Sequence, residues 1–255
     1  KCNKPIIYDF RTADLVLGGQ GAPLIPIVDD FLLRQKDTSV IALNMGGIAN
    51  LTFLPSRFSD KNIKAWDTGP ANTLVDKAVM GFTQGHKFYD EDGNYARKGK
   101  INTDLLQLMM EHEFLIKSPP KSAGQEQFGF AYYEKLKQEV NPVSNDEWLS
   151  FIRTVTEFTV KSISKDILDL IKLADHPTSI IVSGGGAENT FIMERLKEEL
   201  EDCNIIKFDL PGITSEIKEA FGFAYLGYLF LRDLPGNIPS VTGASRPCVL
   251  GKIVF

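Results

Sequence analysis

The sequence predicts an α/β fold containing a parallel sheet, on three observations. Its final third alternates apolar β-branched runs with amphipathic stretches, an order that places strands side by side through right-handed crossovers. Glycines cluster directly after two of the apolar runs, "LNMGGIAN" and "IIVSGGGAEN". Of the 255 residues 43% are hydrophobic and 24% charged, the balance of a protein with a true core. The length admits one large or two modest domains.

Each element follows from local pattern. Residues 4–10, "KPIIYDF", form a short strand, and "GGQGAPLIP" at 18–26 is a loop of turn formers. A helix follows from Leu24 to Leu33 with Pro26 in its first turn. The runs 39–45 and 50–55 are strands joined by a tight hairpin at Gly46-Gly47-Ile48-Ala49. "IKAWDTGPAN" at 63–72 is a strand running into a turn, and Pro70 opens a helix through Phe82. Residues 84–100 read as a polar surface loop, 102–110 as a helix, and 117–129 as a loop long enough to be functional. Between Ser144 and Ala174 apolar positions recur at three and four, with Asn145 and Asp146 offering a cap, so a long core helix is predicted. The last third reads strand 178–183, helix 188–200, strand 204–209, helix 213–230 and a closing strand in "CVLGKIVF". Trp66 and Trp148 are assigned to the core.

Composition excludes several classes of function. A net charge of −5 argues against a nucleic-acid surface, which would gather Lys and Arg into a patch. Cys2, Cys203 and Cys248 lie far apart without metal-ligand spacing, which indicates a reducing, cytoplasmic setting. His86, His112 and His176 are equally scattered, so no metal cage is expected. No run reaches the ~18 apolar residues of a membrane span, and the opening residues lack the apolar core of a signal peptide.

Two glycine turns remain to be explained. Gly184-Gly185-Gly186 follow a strand and precede a helix, where ligands meet an open α/β sheet and a helix N-terminus favours an anion. Position 189 is Asn, so the dinucleotide fingerprint is not completed, and a tight strand-to-helix turn is the alternative. Gly46-Gly47 form either a plain hairpin turn or a concave amide nest for phosphate. Neither Gly-Lys pair, at 99–100 or 251–252, is followed by Ser or Thr, so a nucleotide here would not sit on a P-loop.

The stretches "DFRTADLVLGGQGAPLIP", "LNMGGIANLTFL", "WDTGPANTLVD", "KSAGQEQF", "VSGGGAENTFIMERL", "EIKEAFGFAYL" and "LPGNIPSVTGASRPCVLGKI" resemble, in order, the anhydro-N-acetylmuramic acid kinases of bacterial peptidoglycan recycling. The resemblance implies an actin-like ATPase (ribonuclease H-like) fold, a mixed sheet flanked by helices, with two lobes closing on ATP and Mg2+. It implies that residues 1–36 are the remainder of the first lobe with a linking loop, 37–233 the second, nucleotide-binding lobe, and 234–255 a return to the first. In such a family Asp67 would be the base that primes water to open a 1,6-anhydro ring while O6 is phosphorylated. Asn44, Gly46, Gly47, Asn50, Gly184, Gly185, Gly186 and Asn189 would border the nucleotide. Gly19, Gln20, Gly21, Thr68, Gly69, Asn72, Lys121, Ser122, Glu126 and Glu219 would line the sugar pocket, and Asp9 and Asp14 would be loop or sugar-contact residues. The family's "GTSxDGxD"-type first phosphate loop is not present in these residues, so the chain resembles the last two thirds of such an enzyme, and alone it should bind nucleotide weakly and leave apolar surface bare near Ile6 and Ile7. Another sugar or carboxylate kinase of the superfamily, or a sugar-binding module without catalysis, are the competing readings. The resemblance further implies a homodimer, with the middle helices as candidates for the contact, while charge and apolar runs lead to no nucleic-acid or membrane partner.

Overall fold

The computed structural model describes residues 4–215 and 217–255, so Cys2 lies outside the described residues. Seven strands occur among them: β1 (Ile6–Tyr8), β2 (Ser39–Met45), β3 (Ile48–Leu54), β4 (Lys64–Pro70), β5 (Thr178–Ser183), β6 (Asn204–Lys207) and β7 (Lys252–Val254). The helices are α1 (Thr12–Val16), α2 (Pro26–Leu33), α3 (Asn72–Phe82), α4 (Thr103–Met110), α5 (Glu113–Ile116), α6 (Gln125–Phe128), α7 (Phe130–Val140), α8 (Asn145–Leu173), α9 (Thr190–Glu199), α10 (Lys218–Leu231) and α11 (Pro239–Thr242).

Five strands form one mixed sheet in the order β4-β3-β2-β5-β6. β2, β3 and β4 are antiparallel neighbours, whereas β5 runs parallel to β2 and β6 parallel to β5. The mixed, helix-flanked sheet expected from the sequence is therefore present. One face carries Ile41, Leu43, Leu51, Phe53 and Val182 into a core with Ile163 and Ile167 of α8 and Ile192 and Leu196 of α9. The opposite face carries Val40, Ala42, Leu54, Ala65 and Ile181 against Leu33 of α2 and Val241 of α11.

α8 is long because it serves two cores. Val160, Ile163, Ile167 and Leu170 face the sheet, while Phe151, Ile152, Val155 and Phe158 pack with α3, α4 and α7 in a separate helical core. Its cap is Ser144, whose hydroxyl accepts from the Glu147 N–H at 3.3 Å while Glu147 accepts from the Ser144 N–H at 2.8 Å. This reciprocal pair, rather than Asn145 or Asp146, satisfies the free donors of the first turn. A fourth cluster joins Phe10, Leu24 and Leu250 to Leu226 and Leu229 of α10, beside the two-stranded sheet β1-β7. Ile6 on β1 is half exposed there, as expected.

The predicted elements recur with shifted ends. Pro70 is the last residue of β4 and α3 starts at Asn72, because the chain pairs with Ile48 through Pro70 before it turns. α10 starts at Lys218, five residues later than expected, since Leu210 and Ile213 first form an isolated bridge. α7 was not anticipated: its apolar residues are few, and Tyr133 and Leu136 alone are buried.

Candidate active site

Cross-strand register lines up four polar residues at one end of the sheet. Ser183 of β5 is paired with Asn44 of β2, Asn44 with Asn50 of β3, and Asn50 with Asp67 of β4. Paired residues share a face, so this row continues the Ile181–Ala42–Ala65 face beyond the apolar patch. A bulge between Ala49 and Asn50 shifts the pairing, with Ala49 opposite Gly69 and Asn50 opposite Asp67, and Thr68 is the extra residue. Thr68 is buried, and its hydroxyl reaches the Ala49 carbonyl at 3.4 Å.

The two glycine turns adjoin this row and each other. At the hairpin, the Gly46 carbonyl accepts from the N–H and side-chain amide of Asn72 at 3.1 and 2.9 Å. The Gly47 carbonyl accepts from the N–H groups of Ala71 and Thr73 and from the Thr73 hydroxyl. The hairpin thus caps α3 with its carbonyls, and the Gly46 and Gly47 N–H groups donate to no acceptor among the described residues. The positive end of the α3 dipole lies at the same place. Gly184 has φ 85° and ψ 169°, a conformation open essentially to glycine alone, and its N–H is held by the Ser215 hydroxyl at 2.6 Å. A Cβ on Gly184 would meet the Met45 carbonyl oxygen at 2.7 Å, and one on Gly186 would meet the Met45 Cβ at 2.6 Å. Both bends therefore open on the same end of the sheet, with Asn72 between them.

A cavity of about 320 Å³ holds Asp67. Arg11, Gln20, Trp66, Lys121 and Ser122 are among its walls. The Asp67 carboxylate accepts from the Ala123 N–H at 2.7 Å, and the Asp67 N–H donates to the Lys121 carbonyl at 3.0 Å. Burial raises its pKa, opposed by the Ala123 N–H and by the Lys121 charge. Lys121 is itself buried, with its ammonium 3.3 Å from Asp166, which also accepts from the Trp66 indole at 2.8 Å. Trp66 is accordingly a core residue, as is the half-buried Trp148 in the helical core.

A second cavity, of about 620 Å³, lies between α3, the 89–92 segment and the turn after β5. Asn72, Asp76, Tyr89, Asp90, Gly185 and Asn189 line it. Asn189 caps α9, accepting from Phe191 and Ile192 N–H at 3.1 Å, while its amide donates to the Asp90 carbonyl at 3.1 Å. Burial pushes Asp76 up to about 6, with Lys77 lowering it and Asp90 raising it.

Gly19, Gln20 and Gly21 form a loop organised by Asp14. That carboxylate is fully buried and accepts from the Gly21 N–H at 2.8 Å and from Asn237 and Thr242 at 2.7 Å each. Asp14 is a loop organiser and offers no surface to a ligand. Asp9 accepts from Thr12 at the start of α1 and pairs with Lys252 at 2.6 Å. Gly69, with φ 144°, faces Ser162 of α8. Glu126 and Glu219 are exposed and line neither cavity. Sequence reasoning missed Arg11, Asp76, Tyr89, Asp90 and Ser215. The one local signal was the turn-dense "YDEDGNYARKGK", read as part of a polar surface loop.

Comparison with known proteins agrees with the resemblance. The family model for anhydro-N-acetylmuramic acid kinase matches residues 1–255. An anhydro-N-acetylmuramic acid kinase of Synechocystis sp. is 41% identical over 252 residues, covering 97% of this chain and 64% of that protein. One from Trichormus variabilis is 39% identical over 249 residues, covering 97% and 63%. The chain thus spans somewhat under two thirds of the length of these relatives. Among solved structures, the ethanolamine utilization protein EutJ from Carboxydothermus hydrogenoformans aligns with a TM-score of 0.38 and 12% identity over 78% of this chain and 52% of its own, a likeness too distant to bear on the site. By the family match over residues 1–255 and its relatives, the chain belongs to the anhydro-N-acetylmuramic acid kinase family.

Proposed function

We propose that the protein carrying this chain is an ATP-dependent kinase that hydrolytically opens the 1,6-anhydro ring of anhydro-N-acetylmuramic acid and phosphorylates O6, giving N-acetylmuramic acid 6-phosphate in peptidoglycan recycling. The observation that carries this reading, beside the family, is the position of Asp67: a half-buried carboxylate inside a cavity and in one row with Asn50 and Asn44, next to both glycine bends. Asp67 takes a proton from water as the water oxygen bonds to C1 and the C1–O6 bond breaks. O6 then bonds to the γ-phosphorus, and the bridging oxygen leaves on ADP. A pKa raised by burial makes the Asp67 carboxylate a stronger base toward the attacking water.

The free amides of Gly46 and Gly47 and the α3 dipole suit the phosphates, with Gly184, Gly185 and Gly186 alongside. The cavity bordered by Asn72, Gly185 and Asn189 suits the nucleoside, with Asn189 acting through its cap on α9. Gln20, Lys121 and Ser122 suit the sugar, with Gly19, Gly21, Thr68 and Gly69 shaping the adjoining backbone. Glu126 and Glu219, both exposed, are kept as sugar-contact residues on the resemblance alone. The amide side chains of Asn44 and Asn50, in the row beside the glycine bends, fit Mg2+, which keeps most of its waters and binds chiefly through nucleotide phosphates; they would hold it through water, leaving Asp67 free as base, and its charge would offset that of the transferring phosphoryl group.

The lobe division at 1–36, 37–233 and 234–255 is kept as a proposal, with α10 packing through Leu226 and Leu229 on the first-lobe segments. A homodimer and a cytoplasmic location, which the free thiols of Cys203 and Cys248 would suit, are proposed with it. The test uses a protein of full family length with ATP, magnesium and the anhydro sugar. Asp67→Asn should lower kcat by about a hundredfold or more while leaving nucleotide affinity unchanged. The parent's rate should rise with pH through the Asp67 titration. Parent-like turnover by the variant would remove Asp67 as base.

A further inference from the structure

The outer edge of β4 is paired at both ends and open in the middle. Along an antiparallel edge strand, alternate residues turn both N–H and C=O away from the partner strand. On β4 the outward set includes Asp67, whose N–H donates to the Lys121 carbonyl at 3.0 Å, and it extends back to Ile63, whose carbonyl accepts from the Ser240 hydroxyl at 2.9 Å. Ala65 lies between them. Its N–H and C=O face outward in the same series and have no partner among the described residues, although Ala65 is only 7% exposed. A buried backbone pair left this way is costly unless a ligand or water completes it.

That pair opens on a cavity of about 480 Å³ bounded by α8, α11 and the 115–121 segment. Trp66, Leu115, Leu170 and Leu173 supply apolar wall, and Lys64, Lys117 and Lys165 supply a cationic rim. Lys117 is 3.6 Å from Glu113, and Lys165 is 3.8 Å from both Asp166 and Asp169. Lys64 has no acidic partner among the described residues. The volume falls in the range of small-ligand sites.

We propose that this groove is a binding site for a short N-acylated peptide with a free carboxylate. One ligand residue adds to the β4 edge, its C=O accepting from the Ala65 N–H and its own N–H, from the preceding amide, donating to the Ala65 C=O, as in strand addition. Alternate side chains then meet the Leu115 and Leu170 wall, and the carboxylate meets Lys64. The site adjoins the Asp67 cavity through Ala65, Trp66 and Lys121, yet the proposal does not depend on the activity.

N-acetyl-alanyl-leucine titrated into the 15N-labelled protein tests it by NMR. The expected result is saturable binding that moves the Ala65 amide resonance. The analogue with ester oxygens replacing the amide N–H groups should bind about fivefold more weakly, the loss of one net hydrogen bond. Blocking the carboxylate as a methylamide, or Lys64→Glu, should weaken binding by about fivefold or more. Ala65→Pro should abolish the contact without removing a ladder bond, because the lost N–H faces outward; if that variant does not fold, the ester analogue decides. No saturable binding at millimolar peptide, an unmoved Ala65 resonance, or equal affinity for the ester overturns the proposal.

Discussion

Replacing Gly184 and Gly185 by alanine, one at a time, separates the fold of the glycine turn from its use. Gly184 holds φ 85° and ψ 169°, a region in which a side chain costs ~1–3 kcal/mol. Its Cβ would also lie 2.7 Å from the Met45 carbonyl oxygen and 2.8 Å from the Asn44 side-chain oxygen. The first of these is backbone of a sheet strand and cannot swing away, so overpacking adds a further ~1–3 kcal/mol. Gly184→Ala should therefore lower unfolding free energy by about 2–6 kcal/mol. At Gly185 the nearest atom to a new Cβ is 3.9 Å away and φ is not left-handed, so Gly185→Ala should stay within ~0.5 kcal/mol of the parent. Gly185 is exposed at the larger cavity, and there a methyl should weaken nucleotide binding about tenfold if backbone and ligand must touch. Urea unfolding followed by circular dichroism gives the first quantity, and titration with a fluorescent ATP analogue the second. A Gly184→Ala midpoint equal to the parent's at unchanged slope would refute the strain argument, and unaltered nucleotide affinity in Gly185→Ala would refute the contact.

Asp166→Asn strands the Lys121 ammonium in a site where both side chains are nearly inaccessible, so a loss of about 3–5 kcal/mol is expected, with a changed Trp66 fluorescence spectrum; parent-like stability would show that Lys121 leaves the interior freely. Asp76→Asn should stabilise at pH 7, because burial raises the folded carboxyl from 3.8 to about 6. The folded state then binds more protons between those values, so the native Asp76 costs stability as pH rises through that window and costs nothing below about pH 4. The full gap is worth at most ~3 kcal/mol, and partial exposure reduces it to ~1 kcal/mol. A melting-temperature gain at pH 7 that persists unchanged at pH 3.5 would contradict this.

Much of the sheet was legible because its pattern is local. The β2-β3 hairpin follows from two apolar, β-favouring runs around Gly46-Gly47, and the β5-α9-β6 order from alternation of period. α7 was not legible, since a helix that buries only Tyr133 and Leu136 carries little apolar periodicity. The cap of α8 was misplaced by one residue because Ser, Asn and Asp all cap, and only the return bond from Glu147 selects Ser144. In the site, glycine turns and Asp67 could be named from the residues. The Asp76–Asp90 side of the larger cavity could not, because the 84–100 segment meets α3 and α9 only through tertiary contacts, such as the Asn189 amide on the Asp90 carbonyl.

The bulge at Thr68 shows why the end of β4 needed coordinates. Side-chain direction in a strand alternates residue by residue, so one inserted residue reverses everything beyond it. With regular pairing, Thr68 would lie opposite Ala49, and Gly69 would fall on the Asp67 face. The shift instead puts Gly69 opposite Ala49 and turns it toward α8, where its missing side chain admits Ser162. A Cβ there would be 3.2 Å from the Ser162 hydroxyl oxygen, at a φ of 144°. Asp67 lies before the shift and keeps its regular place opposite Asn50, while the shift delivers Ala71 and Thr73 to the Gly47 carbonyl, which starts α3. One unpaired residue thereby sets two things together: the approach of the longest helix and the hairpin's seat on the N-terminus of α3.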